Sequence, residues 1–233
     1  MKERLARLDW AALEASLVER GYARTGTVLS RAECDSLVAL YPDDRRFRKR
    51  IDMESHTFGR GDYAYFARPL PRLVQDLRTQ LYRHLAPIAN RWADELGRPA
   101  DYPATLRAWL ERCHAAGQQR PTPLVLRYEQ NGYNRLHQDL YGDLYFPLQA
   151  TAMLSRRDAD YTGGELLFVE QRPRSQSRGE VVAAEQGELV LFPCSERPTQ
   201  GKRGPLRLTT RHGVSTITRG HRFALGLIFH DAR

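Results

Sequence analysis

NRLHQD, residues 134–139, decides how this chain is read. On a β-strand alternate side chains share a face, so His137 and Asp139 project together while Gln138 turns away. An imidazole and a carboxylate placed in this way form a two-point chelate for a divalent metal, and they need a third donor from elsewhere in the chain. Seven histidines supply the candidates. His84 falls within a helical pattern and His114 near a helix end. His221 sits in a turn and His230 near the end of the last strand. His212 is different: it lies in a late strand, and Arg222 follows ten residues later on the next one.

The surroundings fix the fold class. From Pro121 to the C-terminus the chain reads as short segments rich in β-branched and aromatic residues, separated by Gly, Pro, Asp or Ser. These are LVLRYEQ (124–130), LYFPLQATAML (144–154), GELLFVE (164–170), EVVAAE (180–185), GELVLFP (187–193), LRLTTRHGVST (206–216) and HRFALGLIFH (221–230). About eight strands at this spacing predict a double-sheet jelly roll. The first 120 residues read as mainly helical. Trp10, Leu13, Leu17 and Val18 recur at helical spacing between a candidate N-cap, Asp9, and a stop at Gly21. Ser30 and Glu33 have the spacing of a capping box. Leu73, Leu77, Leu81, Leu85 and Ile88 mark one face of a helix over 70–92, with Pro87 a candidate kink, and another helix is expected over 102–117. Tyr63, Tyr65 and Ala67 alternate as in a strand. The expected class is therefore α+β: a helical region, 1–120, buttressing a jelly-roll core, 121–233, in one compact domain.

Two histidines and one carboxylate on one face of a metal leave the opposite positions open, the facial triad of non-haem Fe(II) oxygenases. The open positions admit a bidentate keto acid and then dioxygen. A basic residue deeper in the barrel must hold the far carboxylate of that co-substrate, and the planar fork of arginine suits the task. Arg222 stands on a strand whose alternate positions are Ala224, Gly226 and Ile228, small enough in part to leave room for a ligand.

With these residues in view, the chain resembles the 2-oxoglutarate/Fe(II)-dependent dioxygenase superfamily over residues 121–232. HxD falls at His137-Gln138-Asp139, the distal histidine at His212 and the arginine at Arg222. The run YEQNGY (128–133), GGELLF (163–168) and GELVLFP (187–193) resemble prolyl-hydroxylase segments. RYEQNGYNRLHQDLYGDLYFPLQATAML (127–154), GGEL and HGVSTITRGHRFALGLIFHDA (212–232) are similar to a bacterial oxygenase family described as demethylating damaged DNA oxidatively. The chain departs from the AlkB-type pattern in reading Leu126-Arg127-Tyr128 where N-x-Y is expected, and Ala224 stands where some relatives carry serine. The resemblance implies His137, Asp139 and His212 as Fe(II) ligands, Arg222 and Tyr128 as contacts of 2-oxoglutarate, dioxygen as the oxidant and ascorbate as a reductant.

Composition bounds the partners. The 233 residues carry a net charge of +8, which favours a polyanion such as nucleic acid. RRFRKR (45–50), QRPRSQSR (171–178) and RPTQGKRGPLRLTTR (197–211) are candidate phosphate-binding stretches, against the reading of solvated loops or, for RRFRKR, a solvated turn or edge strand. Tyr63, Tyr65, Phe66, Tyr141 and Tyr145 are candidate aromatic walls for an extruded base. A protein side chain or small molecule is the alternative substrate, and a non-catalytic jelly roll that binds metal or 2-oxoglutarate the alternative class. Cys34, Cys113 and Cys194 show no paired spacing, which fits a reducing cytoplasm, and no stretch approaches a membrane span.

Overall fold

A computed structural model describes residues 1–201 and 204–233; Lys202 and Arg203, inside the third basic stretch, lie outside the described residues. Five α-helices are present among them: α1 (Lys2–Ala6), α2 (Trp10–Arg20), α3 (Arg31–Val38), α4 (Arg72–Glu95) and α5 (Leu106–Ala115). The strands are numbered β1 to β15 in chain order. A seven-stranded sheet runs from edge to edge as β1 (Ala23–Thr27), β11 (Glu188–Pro193), β7 (Leu148–Met153), β15 (Arg222–Ile228), β5 (Leu124–Tyr128), β4 (Asp62–Phe66) and β2 (Phe47–Asp52). A second sheet runs as β10 (Arg178–Val182), β9 (Leu166–Gln171), β13 (Gly204–Val214), β6 (Tyr133–His137) and β3 (Gly59–Arg60), with β12 (Glu196–Gly201) folded back on β13. A small pair, β14 (Ile217–Gly220) with β8 (Tyr161–Gly163), links them. The antiparallel order makes the fold a jelly roll backed by helices.

Side-chain alternation sorts the strand residues into two cores. On β15, Phe223, Leu225 and Leu227 face the helices, as do Leu148, Ala150 and Ala152 of β7 and Leu189 and Leu191 of β11; they merge with the apolar faces of α2 to α5. The opposite face carries Met153, Val190, Phe192 and Ala224, which meet Phe168 and Val214 of the second sheet. The inter-sheet core is the smaller of the two, and the remaining space between the sheets is the pocket described below.

Local rules account for the helix ends. The Asp9 side chain accepts from the Ala12 amide, and Gly21 closes α2 in the left-handed region at φ 79°. The Ser30–Glu33 capping box is formed on both sides. α4 runs unbroken through Pro87 and buries Leu77, Leu81, Leu85 and Ile88. α5 starts later than position 102, because Asn90 clamps the Tyr102 backbone through both its amide groups, at 2.9 and 3.0 Å, and Thr105 supplies the cap. The first 120 residues also contribute β1, β2 and β4 to the large sheet. RRFRKR is the edge strand β2 and the turn before it. No helix among the described residues is long and apolar enough to cross a membrane.

Candidate metal centre

β6 ends at His137, and its cross-strand partner on β13 is His212. The antiparallel register therefore brings the two histidines side by side, their rings 4.2 Å apart. Asp139 lies just past the strand rather than on it. Gln138, turned away, donates to the carbonyls of Ser195 and Thr210 at 2.9 Å, and the Asp139 amide reaches the Cys194 carbonyl at 3.3 Å. That anchoring carries the carboxylate under both rings. One ligand atom from each of His137, Asp139 and His212 lies within 4.8 Å of the others.

The donor set fits a hexacoordinate divalent ion. Cis ligands about 2.1 Å from such an ion stand about 3 Å apart, and Asp139 Oδ2 is 3.1 Å from His212 Nε2. The His137 Nδ1–H donates to the Arg135 carbonyl at 2.7 Å, which leaves the Nε2 lone pair facing the pocket. Burial, and then the neighbouring His212, push His137 towards its neutral form. Burial alone would raise the Asp139 carboxyl, but the hydrogen bond from His212, the neighbouring imidazoles and the Tyr141 hydroxyl together hold it well below the usual carboxylate range. Neutral imidazole and ionised carboxylate are the forms that bind metal.

These residues line a pocket of about 390 Å³ between the sheets, of the size that holds a small organic ligand. Arg222 lies in its wall, 1% exposed. Its guanidinium sits over the rings of Tyr128 and Tyr161 at 5.5 and 6.0 Å, and it donates to the Met153 sulfur at 3.5 Å. Among the described residues no carboxylate pairs with it, and its Nε has no partner. Tyr128, its cross-strand neighbour, is fully buried with an equally unpartnered hydroxyl. Gly164 makes room for the arginine: a Cβ there would stand 2.9 Å from Arg222 Cδ. Arg219, three residues before Arg222, is on β14 and donates to the Asp158 carbonyl at an exposed position.

Two features escaped the sequence. Gln149 is 3% exposed on the pocket face of β7, and its Nε2 has no protein partner. The signal was there in LQATAM: polar Gln149 and Thr151 alternate with alanines inside an otherwise apolar strand. Tyr141 donates to Asp139 Oδ1 at 2.6 Å and lies beside the metal centre. Cys194 is buried, donates to the Phe146 carbonyl and has its thiol pushed far up by burial, so it is no reactive thiolate.

The basic stretches divide. In RRFRKR, Arg45 and Arg46 pair with Asp43 and Arg50 with Asp44, while Arg48 donates to the Pro121 carbonyl and lies over Tyr65. In the third stretch Arg197 is buried against Glu170, and Arg207 pairs with Glu196. At the pocket mouth the surface is different. Phe58 and Leu136 are 46% and 43% exposed, and the Arg135 amide donates to the Phe58 carbonyl at 2.9 Å.

A sequence profile of the Oxygenase-NA family, described as an oxygenase catalysing oxidative methylation of damaged DNA, matches residues 61–232. The uncharacterized protein Rv2227 of Mycobacterium tuberculosis (strain ATCC 25618 / H37Rv) is 52% identical over 167 residues, 72% of each chain. A prolyl-4-hydroxylase from Pseudomonas putida superposes with a TM-score of 0.57 at 16% identity, over 96% of this chain and 99% of that one. An oxidoreductase of the 2OG-Fe(II) oxygenase family from Burkholderia pseudomallei gives 0.56 at 16% identity, over 97% and 93%. At such identities the two crystal structures speak for the jelly roll alone.

Proposed function

The chain belongs to the Oxygenase-NA family and is an oxygenase, and on that premise we propose that it is an Fe(II)- and 2-oxoglutarate-dependent dioxygenase acting on alkylated nucleic-acid bases. One observation carries the co-substrate: a buried arginine with no counter-ion among the described residues shares a pocket with three side chains that could hold a metal. An unpaired buried charge is costly, and a dicarboxylate whose other end chelates the metal relieves the cost. Arg222 and Tyr128 take its far carboxylate through charge-assisted and phenolic hydrogen bonds. His137, Asp139 and His212 hold the ion.

When bound, Fe(II) would supply the chemistry that turns dioxygen on a C–H bond, with 2-oxoglutarate oxidised to succinate and carbon dioxide; one oxygen atom ends in succinate and the other in the hydroxylated product. The chain's own part is placement and shielding. The Arg135 carbonyl fixes which nitrogen of His137 faces the ion. Phe192, packed on His212 with ring centroids 4.8 Å apart, keeps that wall apolar. A hydroxylated N-methyl group then collapses to formaldehyde and the free base without further help from the protein.

The family description and the pocket mouth support a nucleic-acid substrate. An exposed aromatic ring at Phe58 offers a face for a base, and Arg135 beside it forms no ion pair among the described residues. The buried, free cysteines fit a cytoplasmic setting. The test is succinate formation with Fe(II) and 2-oxoglutarate, with and without methylated oligonucleotides, beside a His137→Ala control. His137-dependent succinate that rises with oligonucleotide, with formaldehyde released, supports the reading. Succinate that responds only to peptides or small molecules moves the substrate there; its absence under every condition returns the protein to a binding role.

A further inference from the structure

We propose that Tyr141 is a positioning residue for the metal centre: it occupies one oxygen of Asp139 so that the carboxylate ligates through the other alone. The proposal rests on the reading of His137, Asp139 and His212 as metal ligands. The two oxygens of Asp139 are engaged differently. Oδ1 accepts the Tyr141 hydroxyl at 2.6 Å, the short distance of a hydroxyl on an ionised carboxylate. Oδ2 faces His212 Nε2 at 3.1 Å, closer than the 3.8 Å between Oδ1 and His137 Nε2. A carboxylate that turns to chelate through both oxygens takes an extra coordination position. A facial triad needs three positions open for keto acid and dioxygen, so chelation would leave one too few. A neutral donor fixed on Oδ1 prevents this without adding charge.

Tyr141 is held to the task. Only one residue, Leu140, separates it from Asp139, and its phenol must fold back on the chain. Gln118, fully buried in the segment before β5, grips the turn that does this. Its amide donates to the Leu144 carbonyl at 2.8 Å and lies 3.3 Å from the Tyr141 carbonyl, while its oxygen accepts the Leu144 amide at 2.8 Å. The same Nε2 is 2.7 Å from the Asp231 carbonyl, tying the turn to the chain after β15. Gly142, at φ 121°, lies between: a Cβ there would meet the Gln118 amide at 2.5 Å. The helical region thus reaches the metal centre through Gln118 and Tyr141.

Tyr141→Phe removes the hydroxyl and keeps the ring, and Co(II) serves as a spectroscopic probe in the full chain. The expected result is Co(II) binding weakened about tenfold or more, with a changed visible absorption band and a metal-free protein that still unfolds cooperatively. Gln118→Met should change the band in the same direction while lowering the thermal midpoint of the metal-free protein. Equal affinity and an equal band in Tyr141→Phe overturn the proposal, and so does weaker binding with an unaltered band. Wild-type protein that binds Co(II) no better than His137→Ala removes the metal reading itself, a different failure that takes the proposal with it.

Discussion

Arg222, the first residue of β15, stands directly opposite Tyr128, the last of β5, and among the described residues the buried Nε of one and the hydroxyl of the other both lack a partner. Folding has placed two donors where only a ligand satisfies them, so their replacement should affect the empty and the loaded protein in opposite directions. Arg222→Met removes an uncompensated buried charge, and the metal-free protein should gain about 1–3 kcal/mol in urea unfolding. The same variant should lose the stabilisation of about 2.7 kcal/mol that 2-oxoglutarate at a hundred times its Kd gives the wild type. Its 2-oxoglutarate KM should rise at least about 30-fold, the loss of a buried charged hydrogen bond, with Co(II) affinity retained. A variant that is less stable when empty yet binds the co-substrate normally would assign Arg222 a structural role.

At the pocket mouth, Phe58 and Arg135 are joined by a backbone hydrogen bond, and Arg135 is two residues from His137. Their side chains should contribute differently to oligonucleotide affinity. Phe58→Ala should cost about 1–3 kcal/mol of single-strand binding at any salt concentration. Arg135→Ala should reduce the slope of log affinity against log salt by about 1. Fluorescence anisotropy with a labelled single strand measures both. Substitution of Arg45, already paired with Asp43, serves as the contrast and should leave binding unchanged.

The sequence brought His137, Asp139 and His212 together more readily than it gave the order of the sheet. His137 and His212 are distant in sequence but lie on strands of strong character, and antiparallel register does the rest. The capping residues Asp9, Gly21, Ser30 and Glu33 act within a few residues of themselves, so they could be read directly. β1, ARTGT, could not, because its strand state depends on pairing with β11 about 165 residues away. RRFRKR read as charge, and its pairing with Asp43 and Asp44 depends on a turn that charge counting does not see. Tyr141 was legible only as an aromatic wall, since its link to Asp139 needs the turn that Gln118 holds.

Buried polar groups were the least legible class, and Arg78 shows why. It falls on the apolar face of α4, 1% exposed, where the helical pattern predicts a hydrophobe. Its guanidinium donates to the Ile228 and His230 carbonyls and to Asp231 Oδ1 at 2.8, 3.2 and 2.9 Å, pinning the end of the strand that bears Arg222. Asp231→Ala leaves that cation without its carboxylate and should cost about 3–5 kcal/mol. The double variant Arg78→Met with Asp231→Leu should recover much of the loss in urea unfolding. A fully additive double variant would show that the two side chains act independently.

His230 should make stability fall in mild acid. Its Nδ1 accepts the Phe146 amide at 3.1 Å, which requires a neutral ring. Burial, and then the Arg78 charge, push its pKa down to about 4 from an ordinary value of 6.5. A base with a depressed folded pKa binds fewer protons folded than unfolded, so stability rises with pH between those values. Its contribution is present above about pH 6.5 and is lost as pH falls towards 4, a change on the order of 3 kcal/mol. Carboxylates titrate in the same range, so the measurement is a difference: urea unfolding of wild type and His230→Asn at pH 7 and pH 4.5. Asparagine offers an acceptor for the Phe146 amide and has no proton to gain. The variant should lose less stability than the wild type across that interval, and parallel losses in both would mean that His230 does not titrate there.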